Sequence, residues 1–137
     1  MSSSVTVLPA NNAVQLTSNG VILLIRTGYQ TPISMDVLRA ETEKHVHKLR
    51  AQHKKVFILI DDSRVTGYDK AVALKIADFL RTMDFDAIAI YGLNPVIRGY
   101  TDKIITTNYQ NKRVHTFDNQ HKASIWLAAH VLRQETK

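Results

Sequence analysis

Three carboxylates lie close together in one short polar stretch, residues 61–70 (DDSRVTGYDK). Asp61, Asp62 and Asp69 could hold a hard cation, because carboxylate oxygens are the ligands that such cations prefer. The same residues could instead serve the backbone, with Asp61 or Asp62 forming an Asx turn and Asp69 satisfying the amides of a helix N-terminus. We favour the structural interpretation and predict no metal site.

Other residue types that support catalysis do not combine into a site. The six histidines are scattered, and there is no cysteine to complete a nucleophile and base pair with any of them. His45 and His47 are two apart on a predicted helix, so they point to different sides of it. The glycines form neither a G-x-G-x-x-G nor a P-loop pattern. We therefore predict no catalytic residue, no cofactor and no enzymatic activity.

The polar stretch follows an apolar run, residues 56–60, that is typical of a strand buried on both faces of a sheet. A helical pattern comes after it, and its apolar residues fall on one face: Val72, Ile76, Phe79 and Met83. Between strand and helix we predict an exposed loop at the carboxyl edge of the sheet, where ligands and partners gather. The loop residues predicted to meet a partner are Asp61, Asp62, Ser63, Thr66, Gly67, Tyr68, Asp69 and Lys70.

The N-terminal part of the chain predicts antiparallel strands and one long helix. Three short strands are predicted, at residues 5–8, 13–17 and 21–25. Asn19-Gly20 separates the second strand from the third, which is a strong hairpin signal. Residues 27–30 are predicted to form a loop. Thr31 is the expected N-cap of a helix that begins with proline and runs over residues 32–53.

The C-terminal part predicts alternating strands and helices. The strands are expected at residues 86–91 and 113–117. Asn94 is the expected cap of the first helix, and its inner face is predicted to contain Val96, Ile97, Tyr100 and Ile104. Asp118 is the expected cap of the last helix, and its inner residues are predicted to include Ala123, Trp126, Leu127 and Val131. Tyr100 and Trp126 are thus expected to be core aromatics.

Composition favours a single domain over residues 1–137, with residues 1–12 as a loosely attached N-terminal segment. The 45% hydrophobic and 22% charged content suits one compact core. The absence of cysteine is compatible with a reducing compartment. No apolar run approaches the roughly 18 residues of a membrane span, and the first residues do not resemble a signal peptide. We therefore expect a cytoplasmic protein.

The net charge of +6 raises the question of an anionic partner. Five basic residues crowd the end of the first predicted helix: Lys44, Lys48, Arg50, Lys54 and Lys55. Cations near a helix C-terminus also favour the helix dipole. No aromatic residues interleave with them as a stacking platform for single strands would require. We expect no nucleic-acid binding.

The element order and several segments resemble the SpoIIAA-like group of bacterial STAS-related proteins. The segments are LIDDSRVTGYD, DAIAIYG and RVHTFDNQHKASIWLAA, and the positions that carry the likeness are Asp61, Ser63, Gly67, Phe117 and Trp126. The resemblance implies an α/β fold with a mixed sheet, antiparallel first and then parallel, and about four helices. It also implies a signal-transduction role through a protein partner. CRAL-TRIO lipid-binding domains are more distantly similar.

One position departs from the pattern of the phosphorylatable members of that group. The resemblance places Asp69 and Lys70 where the group has an aspartate and a phosphoserine. Because lysine cannot take that phosphate, we expect a relative that is not switched there. Ser63, Thr66 and Tyr68 remain as nearby hydroxyls, where phosphate would act only through its added charge.

Two functions from different classes stay open at this stage. The first is a protein-interaction module, without chemistry, that uses the predicted loop and the turn at residues 92–95. The second is a carrier of a small apolar ligand, with a pocket lined by Phe79, Tyr100 and Trp126 and a volume of about 300 Å³ or more. We favour the first because a core this small has little volume to spare. Self-association is plausible for so small a domain with a free strand edge, though the sequence does not fix a dimer.

Overall fold

The protein forms a six-stranded mixed sheet with four helices, as shown by a computed structural model that describes residues 4–7, 11–108 and 113–135. The strands are β1 (Ser4–Val7), β2 (Ala13–Leu16), β3 (Val21–Gln30), β4 (Phe57–Tyr68), β5 (Ala87–Tyr91) and β6 (Val114–Phe117). The helices are α1 (Pro32–Ala51), α2 (Lys70–Thr82), α3 (Pro95–Asn108) and α4 (Gln120–Glu135). Strand order in the sheet follows chain order.

The N-terminal strands are antiparallel and the others are parallel, which confirms the predicted mixed sheet. β1 pairs with β2 and β2 with β3 in antiparallel register, and Gly20 takes the positive φ of 84° that the hairpin turn needs. β3 to β6 pair in parallel. The predicted first strand, residues 5–8, is present up to Val7, and its last residue lies outside the described residues.

Two segments predicted to be loops are strands instead. β3 continues through residues 27–30, and β4 continues through residues 61–68. The two extensions pair with each other in parallel, from Thr27 opposite Arg64 to Gln30 opposite Tyr68, with register shifts on the way. Polar composition suggested a loop, but the ladder of backbone hydrogen bonds and a buried ion pair, described below, extend the pairing past the apolar core.

Helices cover both faces of the sheet. α1, α2 and α3 pack on one face, over a core that contains Ile22, Ile58 and Ile88. α4 packs on the other face, against Phe57 and Ala87. Neighbouring residues of β4 and β5 alternate between the two cores because side chains alternate along a strand.

The starts of α1 and α3 agree with the sequence, and the start of α4 differs from it. Thr31 and Ser34 form a capping box at α1, and the side chain of Asn94 accepts a hydrogen bond from the amide of Ile97 at α3. Asn119 caps α4, where its side chain accepts from the amide of Lys122. The predicted cap, Asp118, is wrong, since its carboxylate accepts hydrogen bonds from the side chains of Arg98 and Lys122 instead.

α3 is rotated relative to the prediction. Val96 and Tyr100, expected on its inner face, are 72% and 67% exposed, whereas Thr101 and Ile105 are buried. Arg98 fixes this orientation by reaching Thr116 on β6 and Asp118 just beyond it. The prediction that Tyr100 is a core aromatic is therefore wrong.

Candidate functional site

A buried ion pair joins the extended halves of β3 and β4. The guanidinium of Arg26 donates to both carboxylate oxygens of Asp62, from Nε at 2.6 Å and from Nη2 at 2.5 Å. Arg26 is 5% exposed and Asp62 is 2% exposed. Burial opposes the charge on Arg26, but the attraction of the Asp62 carboxylate and the hydrogen bonds outweigh it and raise the pKa of Arg26. Asp62 is therefore a structural anion inside the core and not a loop residue.

Tyr68 connects this ion pair to the surface. Its hydroxyl oxygen accepts a hydrogen bond of 2.6 Å from Nη2 of Arg26, whose guanidinium carbon also lies 5.2 Å from the centre of the Tyr68 ring. Burial raises the pKa of Tyr68 to about 12, against the opposing charge of Arg26. The phenol is thus protonated at neutral pH and can still donate its own proton.

The side chain at the start of α2, that of Asp69, binds a neighbouring strand and does not cap the helix. Asp69 is the N-cap residue, yet its side chain makes no capping hydrogen bond. Its carboxylate accepts a hydrogen bond of 2.8 Å from the hydroxyl of Tyr29 instead. This bond raises the pKa of Tyr29. The expected capping role of the Asp69 side chain is therefore wrong, although the backbone carbonyl of Asp69 accepts a hydrogen bond of 2.9 Å from the amide of Val72.

A groove of about 440 Å³ opens beside this helix start, between α2 and α3. The groove is lined by Gly67 and Tyr68 from the end of β4, by Asp69, Lys70, Ala73 and Ile76 from the start of α2, and by Val96, Ile97, Tyr100, Thr101 and Ile104 from α3. Its walls are largely apolar, and its polar groups stand where β4 passes into α2. We refer to it below as the α2–α3 groove.

Four of the eight predicted interaction residues line the groove, and the other four do not. Gly67, Tyr68, Asp69 and Lys70 line the groove, together with Tyr100 from the predicted ligand pocket. The remaining four do not line it: Asp61, Asp62, Ser63 and Thr66.

Asp61 points to the opposite face of the sheet from Asp62, as alternation along a strand requires. Its carboxylate accepts from the amide of Ser63 at 2.9 Å and from the hydroxyl of Ser63 at 2.6 Å. The predicted Asx turn is thus confirmed at Asp61, within a strand. Burial raises the pKa of the neighbouring Tyr91 to about 12, and Asp61 adds to that effect.

The predicted ligand pocket does not exist as one site. Phe79 belongs to the core beneath α1 to α3, whereas Trp126 packs on the opposite face of the sheet, with its ring centre 5.6 Å from that of Phe117. Because the sheet separates them, the two residues cannot line a cavity with Tyr100. Two cavities that Phe79 helps to line each hold only about 30 Å³.

Sequence reasoning missed Arg26 and Val96. Arg26 follows Ile22 and Leu24 on the core side of β3, and Asp62 follows Ile58 and Ile60 on the core side of β4. Two opposite charges that each continue a buried alternation are a readable signal of a buried ion pair. The exposure of Val96 carries no such signal, because it depends on the rotation of α3.

The described residues contain neither a cluster of metal ligands nor a candidate membrane span. Among residues 4–7, 11–108 and 113–135, no three histidine, cysteine, aspartate or glutamate side chains cluster as metal ligands would. Within the same ranges, none of the helices has both the length and the apolar character needed to cross a bilayer.

Two solved structures resemble most of the chain in fold. One is an uncharacterized protein of the DUF3478 family with a SpoIIAA-like fold from Shewanella loihica PV-4, at 14% identity and a TM-score of 0.59, covering 92% of this chain and 93% of that one. Another is the anti-sigma factor antagonist SpoIIAA in its unphosphorylated form, at 10% identity and a TM-score of 0.58, covering 83% and 94%. No family model and no curated protein matches the sequence. The predicted SpoIIAA-like fold is confirmed.

Proposed function

We propose that this chain, which has the SpoIIAA-like fold, is a non-enzymatic regulatory module that binds a partner protein in the α2–α3 groove. The observation that carries the proposal is the pair of large apolar side chains, Val96 and Tyr100, that stand mostly exposed on one wall of this groove. The structurally similar SpoIIAA is an anti-sigma factor antagonist, which makes a protein partner the natural expectation.

The composition of the groove suits protein recognition. Tyrosine is enriched among residues that dominate binding energy, because its ring buries a large area and its hydroxyl can still find a partner. Tyr100 occupies such a position, with Ile97 and Ile104 beside it on the same helix. The ammonium group of Lys70 supplies a donor at the polar end. A partner that offers an apolar anchor and an acidic group would match both ends.

The polar groups of the groove are not arranged for catalysis. Asp69 is occupied by Tyr29, and the hydroxyl of Tyr68 is held by Arg26. The pKa of Tyr68 lies near 12, far from the range in which a general base works at neutral pH. Binding by shape and charge is the simpler role for these residues.

Regulation by serine phosphate at the position typical of the group is not part of this proposal. The resemblance puts Lys70 at that position, and lysine already carries a positive charge there. A phosphate on Ser63 or Thr66 would lie outside the groove lining and would act on a partner only through its field. We further propose that the protein works in the cytoplasm, as a monomer or as a homodimer.

A second candidate is a carrier of a small apolar ligand. The volume of about 440 Å³ exceeds the roughly 300 Å³ that such a ligand needs. The walls are apolar, but the groove is open and lacks the enclosure that Phe79 and Trp126 were expected to provide. For this reason we place the protein partner first.

Affinity capture from the native host tests both candidates. Tyr100→Asp puts a charge on the groove wall, and Ile125→Asp puts the same charge on α4, where Ile125 is 57% exposed on the far side of the sheet. We expect Tyr100→Asp to reduce recovery of a specific partner at least tenfold, in line with about 2 kcal/mol for an anchor residue. Ile125→Asp should leave recovery unchanged. Equal recovery by both variants would contradict the groove as the interface.

Titration with anilinonaphthalenesulfonate, a fluorescent apolar probe, separates the ligand carrier from the interaction module. A saturable site of one probe per chain that Tyr100→Asp removes, without any partner dependent on Tyr100, would favour the carrier. A captured partner that depends on Tyr100 would favour the module.

A further inference from the structure

Nearly all of the excess positive charge lies in one segment, residues 44–55. The chain has 18 lysines and arginines against 12 aspartates and glutamates. Five of those basic residues and none of the acidic ones fall within the segment, so the rest of the chain is almost neutral. The net charge of +6 is therefore a local property of the C-terminal end of α1 and the turn that follows it.

Three lysines in this segment carry the free charge. Arg50 is engaged by Asp84 and Asp86, and Lys44 is engaged by Glu41. Lys48, Lys54 and Lys55 are exposed, and no carboxylate of the described residues lies within ion-pairing distance of them. We call these three residues the basic turn.

The helix dipole explains only part of the cluster. Lys48 and Arg50 lie in the last turn of α1, where a cation is favourable. Lys54 and Lys55 follow the end of the helix and have no such role. Within the part of the chain whose side chains are described, no carboxylate pairs with either of them.

The backbone holds the basic turn in a defined shape. The amide of His53 donates to the carbonyl of Arg50 and the amide of Lys54 to that of Leu49, which is a Schellman motif. His53 occupies its left-handed position with a φ of 57°, where glycine is the favoured residue. An exposed imidazole thus stands beside the lysines in a conformation that disfavours a side chain.

We propose that the basic turn docks this protein on the surface of an anionic phospholipid bilayer. The three lysines of the turn are exposed, and clustered exposed lysines are attracted to the phosphate headgroups of an anionic membrane surface. The one arginine in the segment is already held by carboxylates, so no free fork is present for bidentate reading of a base. The segment contains no Phe, Tyr or Trp on which a single strand could stack.

The docked orientation leaves the α2–α3 groove accessible. The helix α1 begins at the end of the sheet where the groove lies. Its 20 residues extend about 30 Å toward the opposite end of the sheet, where the basic turn lies. The bilayer would meet one end of the molecule and a partner the other. Membrane docking is thus independent of what the groove binds.

Vesicle binding tests the proposal directly. The probe is a set of large vesicles of phosphatidylcholine with about 30% phosphatidylserine, with pure phosphatidylcholine vesicles as the reference. The variant is Lys48→Gln, Lys54→Gln, Lys55→Gln together. The matched control is Lys75→Gln, Lys103→Gln, Lys122→Gln, which changes the net charge equally at lysines elsewhere on the surface, where Lys103 and Lys122 are exposed and Lys75 is half-buried. Co-sedimentation gives the partition coefficient, and thermal melting verifies that each variant is folded.

We expect the wild-type chain to bind the anionic vesicles and not the neutral ones. Each lysine of the basic turn contributes about fivefold, so the triple variant should lose about a hundredfold. The control triple and Tyr100→Asp should stay within about threefold of wild type, and about 0.5 M salt should abolish binding.

Three results would overturn the proposal. The first is no preference for anionic vesicles, and the second is an equal loss in both triple variants. The third is tighter binding of a double-stranded oligonucleotide than of vesicles at the same salt, with the same dependence on the basic turn, which would assign the turn to nucleic acid.

Discussion

The two ends of the sheet are held together in different ways. At the end where β4 begins, apolar residues such as Val56 and Ile58 are fully buried, and a Schellman turn closes the chain before them. At the end where β4 finishes, the strand is polar, and the buried pair of Arg26 and Asp62 joins it to β3. The first end is ordered mainly by hydrophobic burial and the second by polar contacts, which include the buried ion pair and the hydrogen bonds between the buried side chains of Asn12 and Gln30.

This difference places the proposed function at the polar end. The groove residues Gly67, Tyr68, Asp69 and Lys70 follow directly from the strand extension that the ion pair holds. A site at the end of such a strand extension can lose its shape without loss of the whole fold. The apolar end is stabilised by the burial of its side chains. Its surface can therefore carry charged residues, such as those of the basic turn.

The largest effect is expected for Asp62→Ala. The change leaves the charge of Arg26 buried without its partner, which costs about 3–5 kcal/mol of the free energy of unfolding. Asp61→Ala, on the other face of the same strand, should cost less than about 1 kcal/mol because it removes only half-exposed hydrogen bonds. Urea denaturation measures both.

Joint replacement sharpens this test. Arg26→Met with Asp62→Leu removes both charges and should recover most of the loss, since apolar side chains can fill the space of a buried pair. If Asp62→Ala costs no more than Asp61→Ala, the ion pair does not hold the polar end together.

Gly92→Ala should have the next largest effect. Gly92 follows β5 at a φ of 86°, and a Cβ there would lie 2.5 Å from the backbone nitrogen of Ser63 on β4. We expect a loss of about 2–3 kcal/mol from strain and displacement of β4. Gly99→Ala is the control, because a Cβ at Gly99 meets nothing within 4 Å and alanine favours a helix by about 1 kcal/mol. Thermal melting that ranked the two changes equally would contradict the close approach of the strands.

A smaller change of opposite sign is expected for His53→Gly at the apolar end. Glycine relieves the left-handed strain at His53, although it also gains entropy in the unfolded chain. The net result should be a stabilisation of about 0.5–1 kcal/mol, seen as a higher urea midpoint. A clear loss of stability would mean that the imidazole makes a favourable contact in the turn.

The smallest effect concerns pH at the same end. Burial lowers the pKa of His45 below its ordinary 6.5, and Lys48 and Lys44 add to this against the attraction of Glu41. A lowered pKa means that the neutral imidazole is favoured in the folded state. The stability that the neutral imidazole of His45 contributes is therefore fully present above pH 6.5, the pKa of His45 in the unfolded chain. It is lost as the pH falls from 6.5 through the lower pKa of His45 in the folded protein. In His45→Gln, stability should fall less over that interval, and an unchanged pH dependence of the urea midpoint would count against this assignment.

Much of the fold could be predicted from the sequence. Apolar runs marked the cores of β3, β4 and β5, and Asn19-Gly20 marked the hairpin. The start of α1 followed from Thr31 as the N-cap and Pro32 in the first helical position. These signals are local, because burial and turn geometry constrain the residues that show them.

The candidate site was only partly predictable because it depends on contacts between residues that are far apart in the sequence. The strand extensions depend on pairing between Arg26 and Asp62, which are 36 positions apart. The residue pattern within each segment favoured a loop because it does not reveal this long-range contact. The rotation of α3 depends on Arg98 reaching β6, which no periodicity within α3 contains. The sequence therefore identified Tyr68, Asp69 and Lys70 but assigned Tyr100 to the core.

Hydrogen–deuterium exchange of the protein with a partner captured through Tyr100 would test the groove most directly. We expect slower exchange on complex formation in the first two turns of α2 and along α3, with α4 and the basic turn unchanged. Slower exchange confined to α4 or to the β1 edge, with the groove amides unaffected, would contradict the assignment of the α2–α3 groove as the binding site.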